Sequence, residues 1–194
     1  AWIRGKDEGE VIESNLAMLT NLQQHISRPR SLVFISSVAA SPDTLSRYGR
    51  TKFKIANQLL EYGAVVLVTG LIVDKEPKGP YKLLVDVVKG FPLSVRFTQN
   101  SVKVYPIRTD DFLSAVVTVL KVDLPGGSYR VYPSNAADIN EFLEQLEKKH
   151  RRGRVKFPVS YKLSISSLRG MHGVGLLPST LGEKLLTFLY KDEE

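Results

Sequence analysis

The 194-residue sequence holds no cysteine, which excludes a disulfide framework and thiolate metal sites and fits a reducing compartment. No apolar run approaches the roughly eighteen residues that a membrane span needs. A charged-then-apolar leader ending in a small-residue cleavage site is also lacking, so a soluble, cytoplasmic protein is expected. Internal repeats and low-complexity tracts are missing too. Charged residues make up only 24% of the chain against 43% hydrophobic. The chain can therefore bury a sizeable core, as one compact domain or one with a small appendage. It opens Ala1-Trp2-Ile3 without an initiator Met, and is expected to have been processed, cut or recorded from an internal point.

What is plentiful is positive charge. Twenty-seven Lys and Arg against twenty Asp and Glu give a formal charge of +7, which favours anionic partners without choosing among phosphates, nucleotides, nucleic acid or an acidic surface. The densest run, Lys148-Lys149-His150-Arg151-Arg152-Gly153-Arg154, has no interleaved aromatics of the kind that stack on bases. It reads as a solvated helix end and loop, since cations suit a helix C-terminus.

Apolar residues at three- and four-residue spacing, Val11, Ile12, Leu16, Leu19, Leu22 and Ile26, predict an amphipathic helix from Glu8 that ends before Pro29. Asn15 falls on or beside its apolar face. Ser31–Ser36 reads as a strand covered on both faces. A second helix is expected from about Ser46, as N-cap, to Gly63, as its C-terminal glycine, and Ala64–Val68 as a second buried strand. Helix, strand, helix, strand with short joints is the pattern of a doubly wound parallel sheet, hence an α/β fold. Beyond it come a loop over Asp74–Pro80, a helix through Leu83–Val88 and strands near Leu93–Phe97 and Val102–Ile107, joined by a turn at Gln99-Asn100. Then follow a helix capped by Thr109 or Asp110, a strand over Tyr129–Tyr132 and an amphipathic helix over Asp138–Lys149. The tail reads as a glycine-rich loop, Gly170–Gly175, and a last helix through Leu181, Leu185, Leu186 and Leu189.

Chemistry concentrates in one segment. Ser36-Ser37 ends the first strand, and eleven residues on Tyr48-Gly49-Arg50-Thr51-Lys52 opens the second helix. Residues four apart share a helix face, so the Tyr48 phenol and the Lys52 ammonium point the same way. An unperturbed phenol titrates near ~10, and a nearby cation favours the phenolate. Tyr48 could then exchange protons with a substrate hydroxyl or carbonyl, whose oxygen a strand-end serine could hold. That is an acid/base site for interconverting alcohol and ketone, which needs a hydride acceptor that side chains cannot supply. Of the eight tyrosines, Tyr48 alone has a lysine four residues on.

Leu32–Ala39 followed by Tyr48-Gly49-Arg50-Thr51-Lys52 resembles the extended short-chain dehydrogenase/reductases, in which an apolar strand ending Ser-Ser precedes Tyr-Gly-x-Ser/Thr-Lys. Glu10–Leu22 is similar to the family helix that carries an asparagine, matched by Asn15. Val65–Val73 is similar to the strand and loop that pass the nicotinamide, Thr109-Asp110-Asp111-Phe112 to the family's Val-Asp-Asp-Val helix start, and Gly127–Val131 to its late strand. Most of residues 8–150 can be placed in this way. The resemblance implies the C-terminal portion of a Rossmann-type doubly wound parallel sheet with a smaller substrate-binding part: residues 1–75 and 107–133 for the first, 76–106 and 134–194 for the second.

The resemblance also implies roles. Tyr48 would be the proton donor and acceptor, Lys52 would lower its pKa and bind the nicotinamide ribose, and Ser37 would orient the substrate. Asn15 would be structural or part of a proton relay. Thr69, Gly70, Leu71 and Ile72 would line the nicotinamide end of NAD or NADP, and Arg96 or Lys103 would meet a substrate diphosphate. The implied protein is an NAD(P)-dependent epimerase, dehydratase or reductase acting on a nucleotide sugar. A homodimer is open; membrane and nucleic acid are not expected partners, and no metal is. No Gly-x-x-Gly-x-x-Gly or Gly-x-Gly-x-x-Gly turn follows an N-terminal strand, so the expected chain lacks the phosphate-cradling segment, and Ala1 is similar to the last alanine of the family strand ending His-x-Ala-Ala. Two other readings stand beside this one: a non-catalytic NAD(P)-sensing or regulatory protein of the same fold, and, on charge alone, a nucleic-acid-binding module.

Overall fold

A computed structural model describes residues 8–44, 46–90, 94–98, 102–150 and 155–160. The expected Gln99-Asn100 turn, the Gly170–Gly175 loop and the helix through Leu181–Leu189 lie outside these residues. In chain order the elements are α1 (Glu8–His25), β1 (Val33–Ser37), α2 (Arg47–Tyr62), β2 (Val65–Thr69), β3 (Leu71–Val73), α3 (Gly79–Gly90), β4 (Ser94–Phe97), β5 (Lys103–Val104), β6 (Pro106–Arg108), α4 (Thr109–Lys121), β7 (Gly127–Val131), β8 (Ala137–Asp138), α5 (Ile139–His150) and β9 (Lys156–Val159), with a short 3-10 turn over Pro29–Ser31. No described helix is long and apolar enough to cross a membrane. The chain divides into two compact units, Ala1–Thr69 with Asp110–Val131, and Gly70–Thr109 with Tyr132–Glu194.

The first unit is built on a parallel sheet of order β1-β2-β7. Its register sets Val33 opposite Val65 and Ser37 opposite Thr69. Strand residues alternate between faces, and Phe34, Val66 and Val68 pack with Leu19 of α1 and with Ile55, Ala56 and Leu59 of α2. On the other face Val65 and Leu67 are also fully buried, which is why β2 reads as an uninterrupted apolar run. α2 has the boundaries its capping residues predict. The Ser46 hydroxyl accepts the Gly49 N–H at 2.9 Å, and Gly63 takes the left-handed conformation, φ 88°, that ends a helix cheaply only in glycine.

The second unit packs α3 against α5, with Leu84, Val85 and Val88 meeting Phe142, Leu143 and Leu146 over Val102, Val104 and Ile139. Three short strand pairs surround this core: β3 with β6 and β4 with β9, both parallel, and β5 with β8, antiparallel. Where one strand is expected over Val102–Ile107, the chain makes two. The Tyr105 carbonyl accepts the Leu71 N–H at 2.8 Å, so Lys103–Val104 pairs with β8 while Pro106–Arg108 pairs with β3. The stretch after Thr69, expected as a loop, is for the same reason a strand over Leu71–Val73.

β4 is fastened to α5 by side chains. Glu147 accepts the Ser94 hydroxyl at 2.7 Å and both terminal nitrogens of Arg96, at 3.1 and 2.6 Å. Asn140 accepts the Phe97 N–H at 2.8 Å and donates to the Phe97 carbonyl at 2.9 Å, in the manner of a neighbouring strand.

Candidate active site

In the first unit, the loop from β1 into α2 brings the strand end and the helix start together. Ser37 lies at the C-terminal end of a parallel strand, the end at which open α/β sheets bind ligands. Its hydroxyl accepts the Ala39 N–H at 3.2 Å, and the next residue, Val38, donates its N–H to the Thr69 carbonyl at 3.0 Å. Ser36, by contrast, is buried. The loop then locks onto the helix: the Arg50 guanidinium donates to the Thr44 carbonyl at 3.1 Å. Gly49 is forced by this packing, since a Cβ there would stand 2.3 Å from the Ala39 carbonyl oxygen and 2.7 Å from the Thr44 methyl.

Tyr48 and Lys52 stand one turn apart at the start of α2, as their spacing predicts. Tyr48 is 38% exposed. Lys52 turns toward the sheet, where its ammonium donates to the Ile35 carbonyl. It sits 4.4 Å from the centroid of the Phe34 ring and 5.9 Å from that of Tyr48. Burial of the amine lowers its pKa from 10.5 to about 8. The amine is therefore mostly charged at neutral pH and able to donate hydrogen bonds, yet within reach of titration. Phe34 was not foreseen as part of this group; an aromatic two residues before the Ser-Ser pair is the signal that could have found it.

Asn15 is 1% exposed, and its amide donates to the Val11 carbonyl at 2.7 Å within α1. Thr69 is buried at the end of β2, opposite Ser37. The remaining expected residues belong to the second unit. Gly70 lies against Tyr105, whose carbonyl oxygen would be 1.9 Å from an added Cβ, and Leu71 and Ile72 pair with Pro106 and Ile107. Lys103 is exposed on β5. Arg96 is 14% exposed and held by Glu147. Among the described residues no group of His, Cys, Asp and Glu could hold a metal ion.

No protein-family model and no curated protein sequence matches the chain. Solved structures do. A UDP-glucose 4-epimerase from Thermotoga maritima with UDP-glucose superposes with a TM-score of 0.58 at 13% identity, over 78% of this chain and 59% of that one. A UDP-glucuronic acid 4-epimerase from Bacillus cereus in complex with NAD gives 0.61 at 18% identity, over 81% and 60%. The dTDP-glucose 4,6-dehydratase DesIV from Streptomyces venezuelae, with NAD and TYD bound, gives 0.59 at 15%, over 79% and 55%. The chain thus has the Rossmann-type fold of these epimerases and dehydratases, and it spans 55 to 60% of their length.

Proposed function

We propose that this chain carries the acid/base half of an NAD(P)-dependent enzyme that acts on a nucleotide sugar as an epimerase, dehydratase or reductase. The observation that carries the reading is the Tyr48–Lys52 pair at the start of α2, with the lysine reaching the Ile35 carbonyl of β1, the strand that ends at Ser37. The charged amine beside the phenol favours its ionised form, so Tyr48 can take the proton of a sugar hydroxyl and return it to the carbonyl oxygen. Ser37 holds that oxygen by a hydrogen bond. The bound nicotinamide would supply the hydride acceptor and donor for this exchange.

The residues present fit one end of such a cofactor. Lys52 is a donor suited to the hydroxyls of the nicotinamide ribose, and Thr69 ends β2 opposite Ser37, with Gly70, Leu71 and Ile72 next in sequence. For the pyrophosphate the sequence offers no glycine-rich turn after an N-terminal strand, and backbone N–H groups of such a turn make most of the fixed contacts. The 194-residue chain by itself is thus expected to bind NAD at roughly millimolar affinity or weaker, the worth of a charge-assisted contact or two. Of the two cations considered for a substrate diphosphate, Arg96 is held by Glu147, while Lys103 is exposed on β5. In the whole protein, Tyr48→Phe should reduce turnover by about a hundredfold or more, the worth of a positioned acid/base, while substrate binding changes little. Unaltered turnover would instead favour a sensing or regulatory protein.

A further inference from the structure

Among the described residues β1 forms an edge of its sheet, in the order β1-β2-β7. Successive residues of a strand turn their N–H and C=O groups to opposite sides. The Leu32 carbonyl accepts the Val65 N–H at 3.0 Å, and the Val38 N–H donates to the Thr69 carbonyl at 3.0 Å, so the even-numbered residues of this stretch face β2. Val33, Ile35 and Ser37 therefore turn their backbone groups outward. The Ala40 N–H closes the Ser37 carbonyl into a turn at 2.9 Å. The Ile35 carbonyl, at the middle of the edge, accepts the Lys52 ammonium instead. From α2 the lysine reaches past the Phe34 ring, 4.4 Å from its centroid, to that carbonyl. A side chain thus stands where the N–H of a neighbouring strand would be.

An open edge invites another strand, and proteins blunt it with proline, a bulge, a charged side chain or little length. β1 has five residues and keeps an unbroken register with β2. Its sequence, Val33-Phe34-Ile35-Ser36-Ser37, holds neither proline nor charge, and Ile35 is 39% exposed. β-Branched and aromatic residues of this kind pair well across strands. The charge that the strand lacks is brought to it by α2.

We infer that Lys52 guards this edge against pairing with β1 of a second copy of the chain. Pairing about a two-fold axis would be antiparallel and would use the same segment twice, with Ile35 opposite Ile35 and Val33 opposite Ser37. The Ile35 carbonyl would then accept an N–H from the other copy and give up the ammonium. The Lys52 ammoniums of the two copies would also meet across the joint, where like charges repel. Pairing and the contact between Lys52 and Ile35 exclude one another, whatever the chemistry of the Tyr48–Lys52 pair.

The test follows the 194-residue chain over a concentration series by analytical ultracentrifugation and by residue-resolved amide exchange. In the wild type the outward Ile35 amide should exchange faster than those of Phe34 and Ser36 at every concentration. Lys52→Met should pair through the edge, its Ile35 amide slowing by about tenfold or more as concentration rises. Lys54→Met removes an equal charge from an exposed place on the same helix and should behave as the wild type does. Adding Ile35→Pro to Lys52→Met should abolish the association gained, because that N–H bonds no strand of the sheet and proline is tolerated on an edge. The exchange reading stands without this last variant. An Ile35 amide that stays fast in Lys52→Met, an equal slowing in Lys54→Met or the wild type, or association that survives in a folded double variant overturns the inference.

Discussion

Lys52 is expected to titrate near pH 8, and this has consequences for stability as well as chemistry. Burial lowers its pKa from 10.5 to about 8, so in the window between those values the unfolded chain binds more protons than the folded one. Stability must then rise with pH across the window. Below about 8 both states are protonated and the full cost of the buried cation is present. Above 10.5 both are neutral and the cost is gone. The shift corresponds to at most about 3.4 kcal/mol, and because Lys52 is only half-buried and near water, about 1–2 kcal/mol is the expected size. Lys52→Met should remove this cost, making the chain more stable than wild type at pH 7 and similar to it at pH 10.5.

The experiment is a set of urea melts of both forms at several values from pH 7 to 10.5, beside an NMR titration of the lysine ε-carbons. Taking the difference between the two proteins cancels the other lysines and tyrosines, which titrate in both. Parallel pH profiles for the two forms, or a Lys52 resonance that titrates at 10 or above, would refute the reasoning. The same titration bears on activity. Under the proposed function, an amine that loses its proton near 8 becomes a weaker donor to ribose hydroxyls and stops favouring the Tyr48 phenolate, so turnover of the whole protein is expected to fall as pH rises past that value.

Further changes test the packing that positions these groups. Phe34→Leu removes the ring 4.4 Å from the Lys52 ammonium and should lower the Lys52 pKa by about half a unit, the worth of an exposed cation–π contact, measurable in the same titration. Glu147→Gln leaves the Arg96 guanidinium partly buried without its carboxylate and should destabilise the chain by about 2–4 kcal/mol in urea melts; a loss below 0.5 kcal/mol would show that water replaces the pair with ease. Gly70→Ala drives a Cβ against the Tyr105 carbonyl and should cost about 2 kcal/mol or more, through the pairing of β3 with β6.

The parts of the fold legible in the sequence are those fixed by neighbours along the chain. α2 could be read because its apolar positions repeat at helical spacing between a capping serine and a terminating glycine, and both caps act within one turn. β2 could be read because burial on both faces demands an unbroken apolar run. β3 and the division at Tyr105 could not. A three-residue strand has no periodicity of its own, and its existence depends on Pro106–Arg108, more than thirty residues away. Arg96 and Glu147 likewise stand 51 residues apart, so nothing local marks one as the partner of the other.

The candidate site divides along the same line. Spacing alone puts Tyr48 and Lys52 on one helix face, and the strand-to-helix order puts Ser37 at the sheet end from which that helix departs. What spacing cannot give is the state of the amine, which depends on the surface it meets across the joint between α2 and β1. There the ammonium rests against Phe34 and the Ile35 carbonyl, and the burial that comes with that place takes the lysine from an ordinary surface cation to one that titrates at about 8. Gly49 is the geometric condition for that contact. A larger residue would push the helix start off Ala39 and Thr44 and carry the lysine away from the strand. The glycine within Tyr-Gly-Arg-Thr-Lys is therefore as much a part of the proposed acid/base arrangement as the two side chains themselves, because the approach of α2 to β1 sets the burial on which the Lys52 pKa depends.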